Sequence, residues 1–141
     1  MHDRPTRARL VYLLTGILAL VVTEIGRTYY RPFIYRHRIS DFHVADTLGN
    51  SFGTVAAVFI GLAIFGRGDD TDRRILVTGT VSVFVYELAH PLLGRHIDPW
   101  DLAATVVGGL FAAGVYRLLR GWTALRSSTA DTGAHTTNRP S

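Results

Sequence analysis

The apolar residues of this chain fall into four blocks, and most of its charges fall between them. The blocks run from Leu10 to Ile25, from about Val44 to Gly66, from Ile75 to about Leu93, and from Leu102 to Leu119. A bilayer core of roughly 30 Å is crossed by about 20 helical residues, within a range of roughly 17–25. The last three blocks fit that length, and the first fits once Arg9 or Gly26 joins it. A soluble bundle is the alternative, but its helices would carry a charged face along their whole length. The stretches Phe52–Phe65 and Leu102–Tyr116 carry none. The expected fold class is an all-α membrane protein. Its four transmembrane helices, about 10–26, 44–66, 75–93 and 100–120, form one domain over residues 1–126.

The spacers agree. All 15 basic residues are arginine, the formal net charge is +4, and the arginines cluster at block ends, as membrane flanks do. A nucleic-acid reader needs its arginines on a solvated face, so no nucleic-acid partner is expected. The absence of cysteine excludes disulfides and thiolate metal sites. The first block follows Arg4, Arg7 and Arg9 like the h-region of a signal peptide. Glu24 and Arg27 stand where a cleavage site would be, so it reads as an uncleaved helix. Gly26–Ser40, basic and aromatic, reads as an interfacial segment on the bilayer surface. Gly66–Arg74 reads as a polar turn. Past Trp122 the composition shifts to Ser, Thr, Gly and Pro, and residues 127–141 are expected to form a disordered cytoplasmic tail. With the N-terminus inside, Arg4, Arg7, Arg9, Arg67, Arg73, Arg74, Arg117, Arg120 and Arg126 lie inside. Arg27, Arg31, Arg36, Arg38 and Arg95 then lie outside. That excess places both termini in the cytoplasm of a multi-pass cell-membrane protein.

Ala45, Gly49, Gly53, Ala57 and Gly61 recur every four residues, a stripe that lets a second backbone approach closely. Thr105, Gly108, Gly109, Ala112 and Ala113 do the same in the fourth block. The expected use is packing within the monomer; a homo-oligomer interface is the other reading.

The intramembrane polar residues share one depth. Glu24, Glu87 and His90 lie at the outer ends of the first and third helices. Asp46, Asn50, Asp101 and Thr105 lie at the outer starts of the second and fourth. The inner half of the blocks has no ionisable residue. Charges in a bilayer face the bundle interior or a wet cavity, so these residues predict a polar chamber opening outward. Asp46, Asn50, Gly53 and Ala57 follow i, i+4, i+7, i+11 on one helix face, and Asp101, Thr105, Gly108 and Ala112 repeat that spacing. A shift of 55 residues aligns the two sets, while a shift of 58 aligns Ile39 with Ile97 and Phe42 with Trp100. A duplication would make the chain two tandem helical hairpins.

Duller roles stand beside the functional ones. Asp98 before Pro99 is a helix N-cap, and Ser40 or Asp41 can cap the second helix. Asp46 and Asp101 suit the positive end of a helix dipole. Glu24 and Glu87 lie at helix C-terminal ends, where the dipole disfavours them, so each needs a partner from Arg27, Arg36, Arg38 or Arg95. Glu87 and His90 have the Glu-x-x-His spacing of a metal-binding helix, but a carboxylate-bridged site needs two such motifs and one is present. No nucleophile triad or phosphate loop occurs, and no metal or cofactor is expected.

The run from Tyr86 to Gly109 resembles the VanZ-like family of small multi-helix membrane proteins. Glu87, Gly94, Arg95, Asp98, Asp101 and Gly108 match the family pattern, with His90 in place of its Gln and Thr105 in place of its Asn. Asp46, Asn50 and Gly53 match part of it in the first half. The resemblance implies a cell-envelope membrane protein and no particular activity. The expected function is binding of an anionic lipid or cell-envelope precursor headgroup in the outward chamber, with Arg27, Arg36 and Arg38 as anion-binding candidates. The polar cluster would comprise Glu24, Asp46, Asn50, Glu87, His90, Arg95, Asp98, Asp101 and Thr105. The alternatives are a membrane-embedded hydrolase or transferase using paired carboxylates, and ion or proton transfer through the same layer.

Overall fold

In the computed structural model, which describes residues 3–68, 70–94 and 96–134, the chain is helical, with no strand among those residues. Helix α1 (Asp3–Ile25) continues through a π-helical turn (Gly26–Tyr30) into α2 (Arg31–His37). Then come α3 (Val44–Phe65), α4 (Asp70–Leu88), a 3₁₀ turn (His90–Leu93) and α5 (Pro99–Ala134). Three helical stretches are long and apolar enough to cross a membrane: Thr6–His37, Val44–Phe65 and Pro99–Trp122. The third apolar block is not among them. Its helix begins at Asp70, five residues earlier than expected, and so takes in Asp72, Arg73 and Arg74.

Close contacts fix how the helices lie. α1 is antiparallel to α3: a Cβ on Gly16 would stand 3.1 Å from the Ile60 nitrogen, Arg9 donates to the Gly66 carbonyl at 3.3 Å, and Gly26 faces Leu48. α4 is antiparallel to α3, with Gly61 against Ile75 and Gly79 against Val58. α5 runs parallel to α3, where Ser51 Oγ donates to the Ala104 carbonyl at 3.1 Å. It is antiparallel to α4, where Gly109 meets Thr80. α3 is therefore the central helix, and Val58, Phe59 and Leu62 on it are fully buried among Tyr12, Ala112 and Tyr116. Leu14, Leu18, Val107, Leu110 and Leu118 face outward, each more than half exposed, as a lipid-facing surface requires. Lipid gives helices no hydrophobic reason to associate, so van der Waals contact at the glycines carries much of the packing.

Several expectations change. Gly26–Ser40 is helical up to His37 and not a separate interfacial segment. Nothing in Arg27–His37 breaks a helix, because Pro32 falls in the first turn of α2, where its missing N–H is tolerated beside the π turn. The reversal comes at three residues with positive φ, Arg38, Phe42 and His43. The third helix ends at Leu88 and not at 93, because Pro91 diverts the chain into the 3₁₀ turn. The last helix runs to Ala134, beyond the break expected at residue 127; residues 135–141 of the expected tail lie outside the described residues.

The small-residue stripe on α3 is also corrected. A Cβ at Gly49 or Gly53 would meet nothing within 4 Å, and Ala57 is exposed. The close approaches are made elsewhere, at Gly16, Gly79, Gly108 and Gly109. The α3 stripe is central only at its ends, where Ala45 is buried and Gly61 meets Ile75.

Candidate functional site

The end of the bundle where α3 and α5 begin and α4 stops holds a cavity of about 540 Å³. α3 contributes Ala45, Asp46, Gly49 and Asn50, whose spacing repeats on one helix face. α4 and the 3₁₀ turn contribute Tyr86, Glu87 and His90, and Arg27 and Arg31 reach in from the π turn and the start of α2. His96, Asp98 and Asp101 close the side towards α5. Six of the expected polar residues thus share one chamber: Asp46, Asn50, Glu87, His90, Asp98 and Asp101.

Local structure explains several of these positions. Asp98 accepts the Trp100 N–H at 2.9 Å and caps α5, with Pro99 as its first helical residue. His43 holds the N-cap position of α3, and Asp41, two residues earlier, accepts the Ala45 N–H at 2.7 Å, which satisfies one of the helix's first donors. That leaves Asp46 free for tertiary contacts. Its carboxylate pairs with Arg31 at 3.1 Å, accepts the hydroxyl hydrogen of Tyr35, and has His43 Nδ1 3.6 Å away. Arg31 also donates to the Tyr35 oxygen at 3.4 Å. His43 stacks on Trp100 with ring centroids 4.9 Å apart, joining the loop before α3 to the start of α5.

Glu87 and His90 are the most enclosed members, 5% and 8% exposed. Glu87 stands at the end of α4 and His90 opens the 3₁₀ turn, where His90 Nδ1 lies 3.1 Å from Glu87 Oε2. Nε2 of His90 is buried without a hydrogen-bond partner among the described residues. A buried imidazole nitrogen is costly to leave unmatched. The cavity lining carries four carboxylates against two arginines.

Three expected members stand elsewhere. Glu24 lies outside the chamber lining, half exposed, 4.0 Å from Arg27. Thr105 is fully buried and donates back to the Asp101 carbonyl at 3.0 Å, so it serves α5 and not the cavity. Arg95 lies outside the described residues. Of the anion-binding candidates, Arg27 lines the chamber, while Arg36 and Arg38 are exposed at the far end of α2. Arg31, Tyr86 and His96 were not singled out by the sequence. Arg27, Arg31 and Tyr35 recur every four residues, a signal that appears only once this segment is read as helix.

The opposite end holds a second polar feature where none was expected. Asp72 is fully buried. It accepts the N–H groups of Arg67 at 2.9 Å and Gly68 at 3.0 Å, and the Tyr116 hydroxyl at 2.9 Å. The carboxylate ties the α3–α4 turn to α5.

No ligating group of three or more His, Cys, Asp or Glu side chains occurs among the described residues. No protein-family model matches the chain, and neither the curated proteins nor the solved structures contain a match to it.

Proposed function

We propose that the chain is a four-helix, multi-pass protein of the cell membrane whose chamber binds the polar headgroup of a lipid-like molecule. The crossing of α4 is supported by its neighbours. Its start is tied through Asp72 to the end of α3, and its end meets the start of α3 at the chamber. A helix of 19 residues rises about 28 Å, close to a bilayer core of roughly 30 Å. Between Arg74 and Glu87 it carries no charge. The arginine excess at the Asp72 end supports that end as cytoplasmic, and the chamber then opens outward. The contacts of Ser51 with Ala104 and Gly108 bracket the register that sets Asp46 level with Asp101. That supports two tandem hairpins. The resemblance of Tyr86–Gly109 to VanZ-like proteins is in keeping with an envelope role.

The observation that carries the headgroup reading is the mixed lining: two arginines and four carboxylates converge in one chamber at one end of the bundle. A purely anionic group would meet too many carboxylates. A headgroup with a phosphate for Arg27 and Arg31, and an ammonium or hydroxyl donor for Asp98 and Asp101, satisfies both signs. Native mass spectrometry of the purified protein tests this. Phosphatidylethanolamine, with N–H donors, should be retained better than phosphatidylcholine, which has none. Arg27→Gln and Asp101→Asn should each weaken that retention about tenfold or more, on the scale of one charge-assisted hydrogen bond of roughly 1.5–3 kcal/mol. Equal retention of the two lipids would overturn the reading.

A hydrolase or transferase is the second reading, favoured by the enclosed Glu87–His90 pair in the chamber lining. Such a pair can take a proton from a hydroxyl or water. Lipid turnover that disappears in His90→Gln would establish it; binding without turnover would reject it.

A further inference from the structure

A second cleft, of about 830 Å³, opens between the start of α4 and the facing turns of α5, at the end away from the chamber. Arg73, Arg117 and Arg120 stand in its lining against a single carboxylate, Asp70. Leu76, Val77 and Ala113 line it further along the helices. The spacing explains this division. Ala113, Arg117 and Arg120 follow i, i+4, i+7 on α5, and Arg73, Leu76 and Val77 follow i, i+3, i+4 on α4. Both helices thus turn a face to the cleft that is basic towards the bundle end and apolar towards the bundle middle. One turn separates Arg117 from Ala113, about 6 Å of rise.

The cleft is also held in shape. Gly109 packs against Thr80 beyond its apolar part, so the two helices close there. Tyr116 is fixed by the buried Asp72 at 2.9 Å, and Arg120 donates to the same hydroxyl oxygen at 3.2 Å. Arg73 and Arg117 are exposed and form no ion pair with another described residue. Val77 is 57% exposed, so the cleft is open sideways to the lipid-facing surface.

We infer that this cleft is a binding site for an anionic phospholipid, with the phosphate held by Arg73, Arg117 and Arg120 and the first acyl carbons against Leu76, Val77 and Ala113. Guanidinium groups match phosphate oxygens in geometry and charge. Basic pockets between membrane helices suit anionic headgroups. A free phosphate would use the arginines alone; the apolar wall one turn deeper and the sideways opening favour a lipid. The site differs from the chamber in sign and position, so it stands or falls separately from the headgroup reading above.

The test uses the full chain purified in detergent, with native mass spectrometry against phosphatidylglycerol and phosphatidylcholine of equal chain length. Phosphatidylglycerol should be retained at least tenfold better. Arg73→Gln with Arg117→Gln should remove that preference, while Arg7→Gln with Arg74→Gln, the same charge change outside the cleft lining, should keep it. Arg73 and Arg117 are both exposed, so the variant should fold; if it does not, Arg73→Gln alone should cut the preference at least threefold. Inorganic phosphate at millimolar concentration should not displace the lipid. Equal loss in the two double variants, equal retention of the two lipids, or displacement by phosphate alone would each overturn the proposal.

Discussion

Gly108 lies against Ser51 so closely that a Cβ on the glycine would stand 2.9 Å from the serine Cα. The neighbouring atoms are backbone, which cannot swing aside. Gly108→Ala is therefore expected to destabilise the protein by about 1–3 kcal/mol, the usual range for overpacking. Gly53→Ala, whose Cβ would meet nothing within 4 Å, should be nearly neutral. Thermal unfolding of the two purified variants checks this, and similar melting temperatures would argue against the tight α3–α5 contact.

The same contact shows what the sequence could and could not disclose. The spacing of Asp46 and Asn50 against Asp101 and Thr105 was visible, and parallel packing of α3 on α5 puts those residues at one level. The sequence also marks Gly108 and Gly109 as packing positions, and both touch a neighbour, but it does not separate them from Gly49 and Gly53, which touch none. Gly49, Gly53 and Ala57 have the same spacing as a packed stripe, but Gly49 lines the open chamber, a Cβ on Gly53 would meet nothing within 4 Å, and Ala57 is exposed. Periodicity defines a face; only the positions of the other helices decide what covers it. Asp72 was missed for a related reason. A carboxylate in a run of polar residues reads as solvated, and its three hydrogen-bond donors come from the preceding turn and from a residue 44 positions away. Arg31 stands in a basic aromatic segment whose composition suits a bilayer surface, and its helical spacing with Arg27 and Tyr35 carries meaning only once the segment continues α1.

Asp72 should be a principal fastener of the Arg-rich end. Tyr116→Phe removes one of its three donors and should cost about 1–3 kcal/mol, since a buried carboxylate loses a partner. Asp72→Ala removes the acceptor for two backbone N–H groups as well and should cost more. Chemical or thermal unfolding ranks them. A Tyr116→Phe variant less stable than Asp72→Ala would mean that a buried carboxylate short of one donor costs more than no carboxylate at all.

Cysteine labelling in intact cells tests the crossing of α4, because the chain has no native cysteine. A cysteine at Gly68 should resist an impermeant reagent, and one at Arg38 should react. His96→Cys should react as Arg38→Cys does. Reactivity at Gly68 with protection at the other two would reverse the orientation. Equal behaviour at Gly68 and His96 would place both ends of α4 on one side.

Phe42 holds φ at +54° while its side chain is 91% exposed. A bulky residue in the left-handed region costs roughly 1–2 kcal/mol, and here no packing offsets it. Phe42→Gly should relieve that strain, although a flexible unfolded chain returns part of the gain. The melting temperature should rise by a few degrees or stay level. A clear fall would reveal that the ring has a partner in the bilayer interface.

Glu87 and His90 should behave as one unit. Both side chains are about nine-tenths buried or more, and 3.1 Å separates Nδ1 from Oε2. Neither group has free access to bulk water. Removing the Glu87 carboxylate takes away the group beside Nδ1 of the enclosed His90, and a buried polar group that loses its partner costs about 1–3 kcal/mol. Removing both gives up the interaction but also the exposed need for it. Glu87→Gln and His90→Leu should therefore each lower stability more than half as much as the double variant does. A double-mutant cycle measures that coupling directly, and contacting residues usually show about 0.5–3 kcal/mol. Simple additivity would mean that the two side chains sit side by side without interacting. Strong coupling together with lost phosphatidylethanolamine binding in both single variants would tie the pair to the headgroup site and not only to the end of α4.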